Sequence, residues 1–175
     1  MARIRSSFLV AVIAILPCGV AAQNRSGTAP AAKPQTIDLA TAKKMVLAAE
    51  QEALKANARV GIAVVDSNGD VVYSERLDGA SARGTISAQG KARAALLFGL
   101  PTKQVQDIIA SGRPVQTMVT IPPTGASEFT INQGGLPILK DGKVIGGIGV
   151  GGSASSEDER FAQAAWMPRF PANSL

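Results

Sequence analysis

The sequence predicts an α/β fold of the α+β kind, a domain in which an antiparallel sheet is flanked by helices. Three observations predict it. Two pairs of β-rich runs are each joined through a short turn that carries glycine. Helical stretches with apolar residues at spacings of three and four stand before, between and after these pairs. Apolar residues make up 46% of the chain and charged residues 18%, enough to bury a core and too little charge for a disordered chain.

The first helix starts at Asp38, whose side chain can cap it, and carries Leu39, Ala42, Val46, Ala49 and Ala53 on one face before ending near Asn57. Val60 to Val65 and Val71 to Arg76 follow as a hairpin, with Asn68-Gly69 expected to supply the positive φ angles of a tight turn. A second helix is expected from Ile86 to Phe98, and Pro101 opens a third from Thr102 to Ser111. Val115 to Ala126 mixes apolar residues with Pro122-Pro123 and Gly125 and reads as irregular. Leu136 to Leu139, a turn at Asp141-Gly142, and Val144 to Val150 form the second hairpin. The last helix begins at Ser155 or Ser156, where Ser156 and Glu159 have the spacing of a capping box, and runs through Ala165.

The chain opens with Arg3 and Arg5, an apolar run from Phe8 to Leu16, and the small residues Val20, Ala21 and Ala22, the layout of a secretory signal with cleavage after Ala22. The apolar run is shorter than the about 20 residues that span a bilayer. Cys18 raises a lipid anchor, which Pro17 directly before it opposes. The expected organisation is a signal peptide over 1–22, a flexible segment over 23–36, one domain over 37–167 and a tail over 168–175. The expected location is periplasmic or secreted, with no stable membrane insertion after cleavage.

Loss of the signal removes the one cysteine, and the chain has no histidine. Thiolate nucleophiles, Ser-His-Asp triads and the usual zinc and His-heme ligand sets are thereby excluded from the processed domain. Losing Arg3 and Arg5 also takes the formal charge from +5 to +3. The basic residues are scattered among acids, and aromatic residues are only 4% of the chain, so neither a phosphate-tracking stripe nor a base-stacking platform is present. No nucleic-acid partner is expected.

Gly147, Gly149 and Gly152 spell Gly-x-Gly-x-x-Gly before a helix. The preceding strand belongs to a hairpin, and Glu157, Asp158 and Glu159 at the helix start would repel a phosphate, so a dinucleotide site does not follow. The glycines read either as a close-packing surface or as the wall of a flat ligand. Lys91, alone among alanines, is either a surface lysine or a partner for a carboxylate or phosphate. Asp66 reads as a turn residue. Glu128 and the acids at 157–159 are candidate carboxylates, the latter also explained by capping. Without His or Cys, axial donors for a heme reduce to Tyr73, Met45, Met118, a lysine or water.

Val60-Gly-Ile-Ala-Val-Val-Asp66, Asn68-Gly69, Lys91-Ala92, Gly99-Leu-Pro-Thr102, Gly134-Gly-Leu-Pro-Ile138, Asp141-Gly142 and Gly146-Gly-Ile-Gly-Val150, followed by Glu157-Asp-Glu159, together resemble the GlcG/HbpS family over Asp38 to Ala165. The resemblance implies an antiparallel sheet of about five strands flanked by helices, assembly into homo-oligomers, and heme or corrinoid binding in some members. It also implies export and a link to heme and redox sensing for the HbpS branch. The similar domain at the end of PduO cobalamin adenosyltransferases uses histidine for heme, which this chain cannot supply. The leading expectation is an exported protein binding heme or a similar flat cofactor through Lys91, Tyr73, Met118, Gly147 and Gly149, not an enzyme. The alternative is a metal-independent enzyme or accessory factor of organic-acid or aromatic catabolism acting through carboxylates and Lys91. A scaffold whose glycines serve only packing is the third possibility.

Overall fold

The computed structural model describes residues 36–114 and 129–166. Along the chain run α1 (Leu39–Lys55), β1 (Gly61–Asp66), β2 (Val71–Arg76), α2 (Ala82–Phe98), α3 (Thr102–Ala110), β3 (Gly135–Lys140), β4 (Lys143–Gly151) and α4 (Ser155–Trp166). The four strands form one antiparallel sheet in the order β2-β1-β4-β3. The α+β architecture is as the sequence predicts, with four strands among the described residues rather than about five. All four come from the two hairpins that the β-rich runs encode. The expected signal peptide over 1–22, the flexible segment up to residue 35, the irregular stretch at 115–126 and the tail over 168–175 lie outside the described residues. Among the described residues no helix is long and apolar enough to cross a membrane.

Side chains of a strand alternate between faces, and the sheet is covered on both. Ile62 and Val64 of β1 and Ile148 and Val150 of β4 join Met45, Val46 and Ala49 of α1 and Phe161, Ala162 and Ala165 of α4 in the main core. On the opposite face Val65 packs with Ala92 and Leu96 of α2. There α2 lies almost directly on the backbone of β4. A Cβ at Gly149 would stand 2.1 Å from the Ala88 carbonyl oxygen, and one at Gly147 would stand 2.2 Å from that of Ala92. Four helical residues rise about 6 Å and two strand residues about 6.8 Å. Successive turns of α2 therefore meet alternate residues of β4, and any side chain at those positions would lift the helix away.

Local signals set most element ends. Asp38 caps α1 by accepting the Thr41 N–H at 2.6 Å, which holds its carboxyl below the usual aspartate range. The second helix starts earlier than its apolar spacing predicts, because Ser81 caps it by accepting from the Gly84 N–H at 3.1 Å. Asp141 and Gly142 both take positive φ, 50° and 73°, as the second turn requires. In the first turn only Gly69 does, at 85°. The expected Asn68-Gly69 tight turn is replaced by a wider one in which the Asp66 carboxylate accepts from the backbone N–H groups of Asn68 at 2.8 Å and Asp70 at 3.0 Å. The expected capping box at Ser156 and Glu159 does not form, because α4 already includes Ser155. Ser153 acts instead: its hydroxyl donates to Glu157 and its N–H donates to Asp158 Oδ1 at 3.1 Å.

Candidate functional site

Three polar or charged residues are buried among the described residues: Lys91, Thr102 and Asp158. All three gather around Gly134-Gly135, at the start of β3. Thr102, at the head of α3, accepts the Gly135 N–H at 2.9 Å and thereby fixes that backbone. Lys91 reaches out of α2 and donates to Asp158 Oδ2 at 2.7 Å, with the two side chains 3% and 2% exposed. Asp158 sits in the first turn of α4, so the pair joins the helix on one face of the sheet to a helix on the other.

Gly134 makes the pair possible. Its φ is 125°, and a Cβ there would lie 2.8 Å from Asp158 Cβ and 2.9 Å from Lys91 Nζ. A residue with a side chain would have to displace one member of the pair, in a conformation that L-residues rarely adopt. Burial pushes the Asp158 carboxyl above the usual aspartate range, and the hydrogen bond and charge of Lys91 act against that push.

The pair floors a cleft of about 490 Å³, within the size range of small-molecule sites. Ser81, Arg83, Ile86 and Ser87 of the α2 segment line one side; Ser153 and Ser155 of the α4 start line another; Thr130 and Asn132 close the third. The apolar surface here is limited. Ile86 is 51% exposed at the rim, and exposed Phe129 precedes Thr130, which lies against Gly90 one helical turn from Ile86.

A second cleft, about 560 Å³, lies between the end of α1 and the end of β2 and is lined by Glu50, Glu75 and Asp78 with Arg59 and Arg76. Burial and the Glu75 charge raise the Glu50 carboxyl. Its charged groups are solvent-facing or half-buried and hold no fully buried pair, so the Lys91 cleft is the better-built site.

The family described as "Haem degrading protein HbpS-like" matches residues 37–166 of this chain. The chain belongs to the HbpS-like family. Protein GlcG of Escherichia coli K12 is 34% identical over 109 residues, covering 62% of this chain and 76% of its own length. An uncharacterized 15.0 kDa protein from the dhaT-dhaS intergenic region of Citrobacter freundii is 34% identical over 130 residues, covering 74% of this chain and 89% of its own. Among solved structures, a double mutant of HbpS from Streptomyces reticuli superposes with a TM-score of 0.65 at 30% identity, covering 87% of this chain and 96% of that one.

Within this HbpS-like fold the residues singled out from the sequence fall in different places. Lys91 lies in the cleft, buried rather than on the surface. Gly147 and Gly149 lie under α2, where its carbonyl oxygens occupy the face a flat ligand would need, so their geometry is that of close packing. Tyr73 is on edge strand β2, with its ring 5.7 Å from Lys43 Nζ and its hydroxyl donating to Glu75 at 3.1 Å. That bond and the Glu75 charge raise its pKa. The structure does not bring Tyr73 to the Lys91 cleft. Met45 is buried in the α1 core. Met118 and Glu128 lie outside the described residues. Asp66 is a turn residue, as its position before Asn68-Gly69 predicts. Arg83 is the residue that sequence reasoning missed, while Asp158 is one of the candidate carboxylates at 157–159, and the structure places it in the cleft. Asp158 looked like a helix-capping acid, and only the fold brings it to Lys91, 67 residues away.

Proposed function

We propose that this HbpS-like protein is exported and binds heme, or a similar flat cofactor bearing carboxylates, in the Lys91 cleft. The observation that carries the reading is the buried Lys91–Asp158 pair at the floor of a cleft, in a chain whose family is described by heme. Export is supported by the basic start, the apolar run over Phe8 to Leu16 and the small residues at 20–22. Assembly into homo-oligomers belongs to the same proposal, on the strength of the family resemblance.

The cleft residues fit one part of a heme well. Arg83, Ser87, Lys91, Thr130 and Asn132 supply hydrogen-bond donors for its carboxylate edge, while Ile86 offers apolar contact for the ring. Among the described residues the cleft lining contains no His, Cys, Met or Tyr, and the Lys91 amine donates to Asp158. The proposal assigns the iron no ligand from these residues, and no chemistry is derived through it.

Titration of the purified protein with hemin, followed at the Soret band, tests the reading. A saturable change at one heme per chain, weakened by Arg83→Gln, is expected. A linear, unsaturable signal would remove heme binding. The metal-independent enzyme reading would then move forward, since a buried lysine–carboxylate pair beside a cleft is also an arrangement suited to proton transfer.

A further inference from the structure

We propose that the flank of α1 carrying Leu39, Lys43, Leu47, Glu50 and Leu54 is an interface for a second copy of this chain, packed antiparallel on the same flank about a two-fold axis at Leu47. The inference rests on the homo-oligomer reading above and names the surface. On the sheet face that holds α1, α4 takes one side of the helix, where Arg160 donates to Glu52 at 2.7 Å. The other side lies over edge strand β2, with Lys43 Nζ 5.7 Å from the Tyr73 ring, and no helix among the described residues covers it. Steps of three and four residues keep side chains on one side of a helix, and the five residues of this row follow such steps. Its three leucines are 49%, 49% and 58% exposed. The stripe that anchors α1 to the core is a different one, through Ala42, Met45, Val46, Ala49 and Ala53, so the leucine row is a second apolar surface that the protomer itself leaves unused.

The order of residues in the row selects a copy of this chain as the occupant. Leu39 and Leu54 stand eight and seven residues from Leu47, and Lys43 and Glu50 stand four and three residues from it. A two-fold axis at Leu47 therefore sets leucine against leucine at the centre and at both ends, and sets Lys43 of each copy against Glu50 of the other. That self-complementarity is what a two-fold interface requires. Both charges are unmatched in the protomer. Glu50 is half-buried and makes no ion pair among the described residues, and Arg59 and Arg76 line the cleft beside it without pairing with it. Burial and the Glu75 charge raise its carboxyl, so a cation brought to it is favoured. Lys43 is exposed and likewise has no carboxylate partner among the described residues. Pairing two copies matches both charges, twice over.

Sedimentation equilibrium of the purified protein beside Leu47→Glu, Lys43→Glu and Glu50→Lys tests the surface, with circular dichroism to check that each variant is folded. If a charge reversal unfolds, Leu47→Glu decides, because that side chain is exposed. The wild type is expected to self-associate. Leu47→Glu sets two carboxylates face to face at the axis and should weaken association about tenfold or more, and each charge reversal alone should weaken it severalfold. Mixed one to one, Lys43→Glu and Glu50→Lys should recover association, because only the mixed pair matches both contacts. A wild-type assembly that none of the three variants weakens would overturn this surface and leave the homo-oligomer reading standing. Weakening by Leu47→Glu without recovery in the mixture would overturn the antiparallel pairing. A monomeric wild type would overturn both the surface and the homo-oligomer reading.

Discussion

Lys91 Nζ and Asp158 Oδ2 lie 2.7 Å apart with both side chains removed from solvent, and they tie α2 on one face of the sheet to α4 on the other. Breaking such a pair from one side strands a buried charge, whereas removing both sides does not. Lys91→Met is therefore expected to cost about 3–5 kcal/mol of stability. The Lys91→Met/Asp158→Asn double variant should recover a large part of that loss. Urea denaturation of the four proteins of the cycle checks this, and additive losses would show that the two residues do not act as a pair.

The same pair sets a pH dependence. Burial raises the Asp158 carboxyl above its range in an unfolded chain, so the folded protein holds that proton more tightly than the unfolded one. The stability this confers is complete below the ordinary aspartate range and is lost as pH rises through the raised folded value. Thermal melts of the wild type and Asp158→Asn from about pH 3.5 to about pH 7 should show the wild type losing stability relative to the variant as pH rises. A difference that moves the other way would mean that the Lys91 interaction outweighs desolvation.

Gly149 and Gly147 are expected to tolerate no side chain. Gly149→Ala puts a methyl group 2.1 Å from the Ala88 carbonyl oxygen, and that backbone can yield only if α2 moves. A loss at or above the 1–3 kcal/mol usual for overpacking, about 3 kcal/mol or complete misfolding, is predicted, measurable as a drop in melting temperature or in soluble yield. A variant as stable as wild type would show that the α2–β4 approach is looser than described.

Tyr73→Phe removes a hydroxyl bonded to Glu75 on an edge strand, away from the Lys91 cleft. Hemin affinity should be unchanged within about twofold, a difference of roughly 0.4 kcal/mol. Loss of binding in this variant would move the site to the β2 edge.

Much of the fold was legible because it is written locally. Asp38 before an apolar periodicity marks a helix start, and Asp141-Gly142 between β-rich runs marks a hairpin, with partners only a few residues away. The Asn68-Gly69 turn was misread because the Asp66 carboxylate, binding two backbone N–H groups, favours a wider loop than the dipeptide alone encodes. Among the described residues there are four strands, all from the two hairpins that the β-rich runs encode, while the count of about five came from the resemblance. The site was the least legible part. A lysine among alanines looks the same whether it faces water or a buried aspartate, and Asp158 at a helix start already has a sufficient local explanation. Gly134 shows the same limit: its close approach to both side chains appears only once β3 and α4 are packed together.

Hydrogen–deuterium exchange of the protein with and without saturating hemin tests the central claim most directly, because it locates the ligand as well as detecting it. The account predicts slowed exchange in residues 81–91, 130–134 and 153–158, the three walls of the Lys91 cleft. Protection confined to residues 50–59 and 75–79, around the acidic cleft at the other site, would contradict it.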